Sequence, residues 1–242
     1  MRDNTYYTLL GLIAGLVGTG LGGLISVFIP IKSKRGMASM LEFSGGVMLA
    51  VVCFDLLPEA FSLAGLWLAL PAFGAGVAVT AVIEGMIERS ASQALGFFKM
   101  GLTLAIAIAL HNLPEGLAIG SGFRLNESLG FSIMIAIMLH DIPEGMSLAV
   151  PFKFSGKKAG FLIWVCLLSG LPTGLGALLG VLAGGVSDGL IAACLAFAGG
   201  AMVYVVCGDI IPKSKELFKG RLPVFASIIG FVTGILIVIQ AG

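Results

Sequence analysis

Charged side chains are scarce in this sequence. Asp, Glu, Lys and Arg make up only 11% of its 242 residues, while hydrophobic residues make up 58%. About a quarter of the residues in a soluble globular domain are charged, so the composition excludes an ordinary soluble fold. The formal net charge is only +1, and no nucleic-acid partner is expected.

Cysteine is also sparse, and its placement excludes a framework of extracellular disulfides. The four cysteines, Cys53, Cys166, Cys194 and Cys207, all fall within long apolar runs. A disulfide framework would be expected in a loop-rich secreted sequence instead. We therefore interpret these cysteines as small buried apolar residues.

Long apolar runs fill most of the chain. A helix needs about 20 mainly apolar residues to cross a bilayer, and the sequence contains eight such runs. The first run is too long for a signal-peptide core, so we interpret it as a span. The predicted fold is an all-α polytopic membrane protein with a single transmembrane domain, 1–242, in which any activity must lie. The spans are predicted at about 5–29, 38–60, 64–87, 100–122, 129–151, 160–184, 189–212 and 222–240.

Basic residues are distributed unevenly between the two sides of this predicted bundle. The loops after spans two, four and six, together with the termini, contain only Arg2 and Arg124. By the positive-inside rule, the opposite loops face the cytoplasm and both termini are extracytoplasmic. The membrane is expected to be the plasma membrane. The basic residues of the odd-numbered loops are Lys32, Lys34, Arg35, Arg89, Lys99, Lys153, Lys157, Lys158, Lys213, Lys215, Lys219 and Arg221.

An internal repeat relates the two ends of the chain. The stretch GGVMLAVVCFDLLP from Gly45 matches GGAMVYVVCGDIIP from Gly199 at eight of fourteen positions, with an offset of 154 residues. GTGLGGL from Gly18 matches PTGLGAL from Pro172 at the same offset. Spans one to three therefore repeat as spans six to eight, in the opposite direction through the membrane. This 3+2+3 inverted repeat is typical of transporters, whose substrate sites lie near the midplane.

Spans four and five contain the two histidines of the chain, in the motifs LHNLPEG and LHDIPEG. His111 and Glu115 are four residues apart, as are His140 and Glu144, so each pair lies on one helical face. Each histidine is about eleven residues into its span, roughly 16 Å deep and so near the midplane. The two clusters should meet there. Two imidazoles and two carboxylates form a ligand set suited to a divalent metal.

Asn112 and Asp141 follow the histidines directly and extend this set. They lie three residues before the same two glutamates, so a second ion could bind beside the first, with Glu115 and Glu144 bridging. A purely structural polar network is one alternative, although three carboxylates at mid-membrane would cost about 8–10 kcal/mol. An intramembrane metal-dependent hydrolase is another, but the HExxH order and a free catalytic base are missing.

Two aspartates on either side of the midplane indicate a transport path. Asp55 lies late in span two, toward the outside, and Asp209 lies late in span seven, toward the cytoplasm. Four residues later come Glu59, which repeats the ligand spacing, and Lys213, which could pair with Asp209. Helix capping or interfacial solvation would also explain the aspartates. Seven residues before each aspartate stands a methionine, Met48 or Met202, on nearly the same helical face as that aspartate. The two methionines could line the path or pack in the core.

These motifs resemble those of the ZIP (Zrt-, Irt-like protein) family of divalent metal transporters. The paired HNxPEG and HDxPEG signatures carry the resemblance, and DLLP and DIIP in spans two and seven strengthen it. It implies influx of Zn²⁺, or of Fe²⁺, Mn²⁺ or Cd²⁺, toward the cytoplasm, with no cofactor and no enzymatic activity. An exporter or a broad-range channel is the runner-up, and a homodimer is implied by resemblance alone. The implied two-metal site consists of His111, Asn112, Glu115, His140, Asp141 and Glu144.

One stretch of span six departs from the family pattern. Similar members often have a glutamate in an SGLAE-like segment, where this chain has SGLPT. Thr173 therefore stands at the acidic position. Ser169 lies four residues earlier, so both hydroxyls could face the site. With fewer charges to hold it, the second ion is expected to bind more weakly than the first.

Overall fold

The computed structural model describes residues 2–28, 33–90, 97–184 and 187–241. The side chains at 2–3, 87–90, 99–100, 103, 107, 111 and 240–241 are not part of that description, and Lys32 lies outside it altogether. The described residues form α-helices and two π-helical turns, with no strand among them. The helices are α1 (Arg2–Phe28), α2 (Lys34–Val51), α3 (Leu57–Ser90), α4 (Phe97–Leu125), α5 (Glu127–Phe154), α6 (Ala159–Gly184), α7 (Asp188–Val205), α8 (Ile211–Leu217) and α9 (Leu222–Ala241).

Seven helical segments in the described part of the chain are long and apolar enough to cross a membrane. The prediction of an all-α polytopic membrane protein is therefore confirmed. The segment Lys34–Met86 has 53 residues and contains predicted spans two and three. At 1.5 Å per residue it would be about 80 Å long, far more than a bilayer core of about 30 Å. It is interrupted at Gly65, whose φ of 68° and ψ of 177° are not helical.

Glycine is the residue that this interruption requires. A φ near +68° is unfavourable for residues with a Cβ atom, and glycine adopts it freely. Nothing lies within 4 Å of the position that a Cβ atom on Gly65 would occupy. Backbone conformation, rather than close packing, therefore accounts for glycine here.

Each of the two aspartates of the predicted path lies in a five-residue π-helical turn. Val52–Leu56 contains Asp55, and Val206–Ile210 contains Asp209. Two residues after each turn stands a proline, Pro58 or Pro212. Proline lacks an N–H group and clashes with the carbonyl group four residues earlier, so it interrupts the regular hydrogen bonding of the helix. Just before each proline, an N–H bonds five residues back, from Leu57 to Val52 and from Ile211 to Val206. The two turns are 154 residues apart, the offset of the sequence repeat.

Close helix contacts recur at the offsets of the sequence repeats. A Cβ atom on Gly116 would lie 1.9 Å from the Thr173 carbonyl oxygen, so α4 and α6 touch backbone to backbone. A Cβ atom on Gly145 would lie 2.2 Å from the Thr19 carbonyl oxygen, so α5 and α1 touch in the same way. Gly145 is 29 residues after Gly116, and Thr19 is 154 residues before Thr173. The contact between α5 and α1 therefore repeats the contact between α4 and α6.

The remaining long helices pair through a second set of matched contacts. Gly46 on α2 abuts the Ser227 carbonyl oxygen on α9, at 2.1 Å from an ideal Cβ position. Gly200 on α7 abuts the Phe73 carbonyl oxygen on α3, at 2.0 Å. Both glycines and both carbonyl groups are related by 154 residues. The result is a central group of α1, α4, α5 and α6, flanked by the pairs α2–α9 and α3–α7.

Candidate metal centre

Four ligand-bearing side chains converge where α4 meets α5. One ligand atom from each of Glu115, His140, Asp141 and Glu144 lies within 4.8 Å of all the others. Glu115, His140 and Asp141 are fully buried, and Glu144 is 2% exposed. Each residue comes from the signature heptapeptide of its helix. The two motifs therefore meet, as their equal depth in the two spans predicts.

A histidine nitrogen lies close to two carboxylate groups in this cluster. His140 Nε2 lies 2.5 Å from Glu115 Oε1 across the helix interface, and 3.5 Å from Asp141 Oδ1 on its own helix. Three carboxyl groups this close together, without water around them, repel one another strongly when ionised. A cation or bound protons must compensate the charge, because an unpaired buried carboxylate is very costly.

The side chain of His111 lies outside the described residues. Its backbone is part of α4, one turn before Glu115. The predicted contribution of this second imidazole therefore stays a prediction. Of the six residues in the predicted site, the structure brings four into one cluster and positions Asn112 beside it.

Asn112 is fully buried and is oriented by α6. Its Nδ2 donates a hydrogen bond to the Ser169 carbonyl oxygen at 2.6 Å. Its Oδ1 has no hydrogen-bond partner among the described residues. This arrangement fixes the amide so that its nitrogen is used and its oxygen is available as a ligand. Amide oxygens of this kind suit hard or borderline divalent ions.

The two α6 hydroxyl groups behave differently. Ser169 Oγ donates a hydrogen bond to the Ala105 carbonyl oxygen at 3.3 Å and so links α6 to α4. Thr173 is fully buried, and its hydroxyl group has no hydrogen-bond partner within the described part of the chain. Thr173 Oγ1 would lie 2.4 Å from a Cβ atom on Gly15. The glycine on α1 therefore leaves the space that this hydroxyl group occupies.

Thr19 is a residue that the sequence reasoning missed. It is 154 residues before Thr173, is fully buried, and also has a hydroxyl group without a hydrogen-bond partner among the described residues. The repeat of GTGLGGL as PTGLGAL aligns the two threonines and could have identified Thr19. One residue before it, Gly18 makes room for Asp141, since a Cβ atom there would lie 2.5 Å from Asp141 Cβ.

Comparison with known proteins identifies the family. A family model described as ZIP Zinc transporter matches residues 83–240. The zinc transporter ZupT of Chlorobium phaeovibrioides is 34% identical over 95% of this chain and 96% of its own length. ZupT of Streptococcus mutans is 32% identical, over 95% and 93%. Zinc transporter ZIP11 of Homo sapiens is 44% identical over 53% of this chain and 40% of its own.

The chain belongs to the ZIP zinc transporter family. The matched region includes the whole α4–α5 cluster, the two α6 hydroxyl groups and Asp209, but not Asp55 or Glu59. Its relatives are named as transporters rather than enzymes, so the expected absence of enzymatic activity is confirmed. Membership supports transport of divalent metal ions, with zinc as the ion in the relatives' names.

In this ZIP family member, Asp55 lies in an accessible pocket between the first π-helical turn, the start of α5 and α9. The pocket has a volume of about 320 Å³. Asp55 is 8% exposed, and its Oδ2 has no hydrogen-bond partner among the described residues. Glu59 is half-buried one turn later. The pocket is lined by Phe54, Asp55, Asn126, Ser128, Leu129, Ser132 and Val238.

Asp209 lies against a much smaller cavity of about 10 Å³. Glu144 of the central cluster lines the same cavity, together with the hydroxyl-bearing residues Ser44 and Ser147. Asp209 also forms an ion pair with Lys213. The predicted pairing of these two residues is thus present, and Asp209 lines the same cavity as Glu144 of the cluster.

The two methionines of the predicted path are fully buried. Met48 and Met202 both belong to the apolar cluster of the core. Their positions fit packing against the helices that carry the aspartates. A role for either sulfur atom in the path stays a prediction.

Proposed function

We propose that this protein moves divalent metal ions, with Zn²⁺ as the first candidate, through the buried cluster between α4 and α5. The observation that carries the proposal is the convergence of three carboxyl groups and an imidazole within 4.8 Å, with almost no exposure. Acidic groups buried in this way inside a membrane protein are stabilised by a bound cation. Fe²⁺, Mn²⁺ and Cd²⁺ suit the same nitrogen and oxygen ligands.

Two ions can share this cluster. The first would bind the imidazole groups of His111 and His140 together with the two glutamates. The second would bind Asn112 and Asp141, with the glutamates bridging. The oriented amide of Asn112 and the hydroxyl group of Thr173 support this second position. Three carboxylates carry a charge of −3 against +4 for two divalent ions, so the second ion should be the weaker one.

The proposed topology is eight spans in a 3+2+3 inverted repeat, as one transport domain over residues 1–242. The interruption at Gly65 supports it, because Lys34–Met86 would then cross the membrane twice. The close contacts of α2 with α9 and of α7 with α3 support it as well, since one recurs as the other at the repeat offset. A homodimer is part of the proposal only through the family resemblance.

The proposed direction is from the outside, past Asp55, to the central cluster, and then past Asp209 to the cytoplasm. The positive-inside distribution of basic residues supports extracytoplasmic termini. The plasma membrane is part of the proposal. The difference in volume between the two ends supports the order of the steps, because the Asp55 pocket is open and the Asp209 cavity is almost closed. The ion would reach Glu144 before it meets Asp209.

Zinc uptake by the purified full-length chain in vesicles tests the proposal. Glu144→Gln keeps the size of a central ligand and removes its charge. Mutation of a residue that only hydrogen-bonds to a metal ligand lowers metal affinity or activity about 10- to 100-fold. Loss of a direct ligand should therefore reduce uptake at least about 100-fold. Glu216→Gln, an exposed carboxylate on α8, is the matched control and should transport normally. Near-normal uptake by Glu144→Gln would refute a path through this cluster.

A further inference from the structure

A lysine with a buried ammonium group lies beside the second path aspartate. Lys213 Nζ contacts Asp209 Oδ1 one helical turn away, with the side chains 17% and 5% exposed. Lysine is rarely buried, and inside a membrane protein a buried cation is costly unless it is paired. A pair like this one contributes little net stability, because desolvation offsets the attraction. Its position on the path indicates a functional reason for the lysine.

A second acid from α3 joins the pair. Glu84 is close enough to Asp209 for their carboxyl groups to interact, and it also lies near Tyr204 and the charge of Lys213. Two carboxyl groups, from α3 and from the π-helical turn, therefore flank one ammonium group. Without the lysine, the same two carboxyl groups would form a ligand pair for a divalent ion.

One small cavity lies between the central cluster and this group. Glu144 and Asp209 line one small cavity, so an ion that leaves Glu144 on that side meets Asp209 next. The ion then finds a carboxylate that an ammonium group already occupies. To bind Asp209, the divalent ion must displace Lys213, and when the ion leaves, Lys213 can return.

At the other end of the path, an acid stands at the repeat position of this lysine. At the offset of 154 residues, Lys213 corresponds to Glu59 and Glu84 corresponds to Val238. Asp55 therefore has a neighbouring acid in the place where Asp209 has a base. Val238 lines the pocket that contains Asp55. The Asp55 end thus has two acids that attract cations, whereas at the Asp209 end the aspartate is already paired with a lysine.

We propose that Lys213 is a tethered counter-cation that occupies Asp209 between ions and competes with each departing divalent ion, so that the Asp209 end releases metal instead of storing it. This inference rests on the proposed function, because it assumes that ions pass the central cluster. Lys213 acts through the carboxylate of Asp209, and its expected effect is on retention of metal at that end.

Zinc binding by the full-length chain in lipid nanodiscs tests this role, with Zn²⁺ alone as the probe. Lys213→Met leaves Asp209 and Glu84 without the ammonium group and should add one bound ion per chain. Lys213→Glu, which copies the Asp55 end, should do the same and provides a second variant if one fails to fold. Lys213→Arg keeps the cation and should bind as the parent chain does. Lys219→Met removes an exposed lysine just beyond α8 and is the control for charge alone.

The double variant Lys213→Met/Asp209→Asn locates the added ion, because it should lose that ion while keeping the central one. Release of zinc from loaded vesicles should also be several-fold slower in Lys213→Met than in the parent chain. If folded Lys213→Met and Lys213→Glu both bind the same number of ions as the parent chain, the inference is overturned. If instead the parent chain moves no zinc while Lys213→Met gains an ion that Asp209→Asn removes, the proposed function fails and the competition at Asp209 stands.

Discussion

Val52–Leu56 and Val206–Ile210 are both five-residue π-helical turns, both carry an aspartate in the same place, and both are followed by a proline two residues later. Their surroundings differ. Asp55 lies in an open pocket with Glu59 one turn away, whereas Asp209 lies at an almost closed cavity and is paired with Lys213. The two turns thus have matching backbones, but the charged residue beside the aspartate is an acid at one end and a base at the other. A few side chains therefore distinguish the two ends of the repeat.

Three substitutions along the repeat account for most of this difference. Glu59 corresponds to Lys213, Val238 to Glu84, and Ala50 to Tyr204. The first exchange reverses the charge beside the aspartate, and the other two add polar groups only at the Asp209 end. Because the helices are paired in the same way at both ends, these changes do not require a different fold.

The largest effect should come from making the Asp55 end resemble the Asp209 end. Glu59→Lys places an ammonium group one turn from Asp55, where it repels incoming divalent ions. Electrostatic focusing changes association rates by about 10- to 1,000-fold, so zinc uptake should fall at least about tenfold. Uptake by vesicles containing the full-length protein would measure this. Zinc binding at the central cluster should be unchanged, and Glu59→Gln should show a smaller loss. Unaltered uptake by Glu59→Lys would remove Asp55 and Glu59 from the path.

A smaller effect is expected at the Asp209 end. Asp209→Asn removes the carboxylate that takes the ion from Glu144, and it leaves Lys213 next to the path with less compensating charge. Net zinc flux should fall about fivefold, the equivalent of roughly 1 kcal/mol. The equilibrium affinity of the central cluster should stay the same. Parallel loss of affinity and flux would instead mean that Asp209 is a ligand of the central ion.

The smallest effect on uptake should come from Thr173, which the repeat relates to Thr19. Thr173→Glu adds the carboxylate that the family pattern often has, so the second ion should bind about tenfold more tightly, the equivalent of about 1.4 kcal/mol. Uptake should slow only slightly, because the first ion is untouched. Thr173→Val, which removes the hydroxyl group without adding charge, is the matched control. Two ions of equal affinity in the parent chain, unchanged by Thr173→Glu, would contradict unequal sites.

The central cluster was predictable because the spacing of residues along a helix decides which side chains share a face. A spacing of four residues puts histidine and glutamate on one face, and equal depth in two spans brings the faces together. Glu115, His140, Asp141 and Glu144 do meet. His111 has the same spacing on α4, and its place as a ligand stays a prediction. Some close helix contacts likewise recur at the repeat offset of 154 residues, such as Gly46–Ser227 and Gly200–Phe73.

The surroundings of the cluster were less predictable. Glu84 reaches Asp209 from α3, and no periodicity in either helix indicates that contact. The π-helical turns depend on local hydrogen bonding near Pro58 and Pro212, which an average of 3.6 residues per turn does not reveal. The eight predicted spans appear as seven helical segments, because the bend at Gly65 joins two of them without a polar loop.

The location of bound zinc is the most direct test of a metal site between α4 and α5. X-ray absorption and anomalous diffraction from the zinc-loaded full-length protein would give the ligand types and the position of each ion. The account predicts an ion between α4 and α5, about 2.0–2.1 Å from His140 Nε2, with carboxylate oxygens of Glu115 and Glu144 also in its coordination sphere. Zinc bound only through oxygen ligands, or found only beside Asp55 or Asp209, would contradict it.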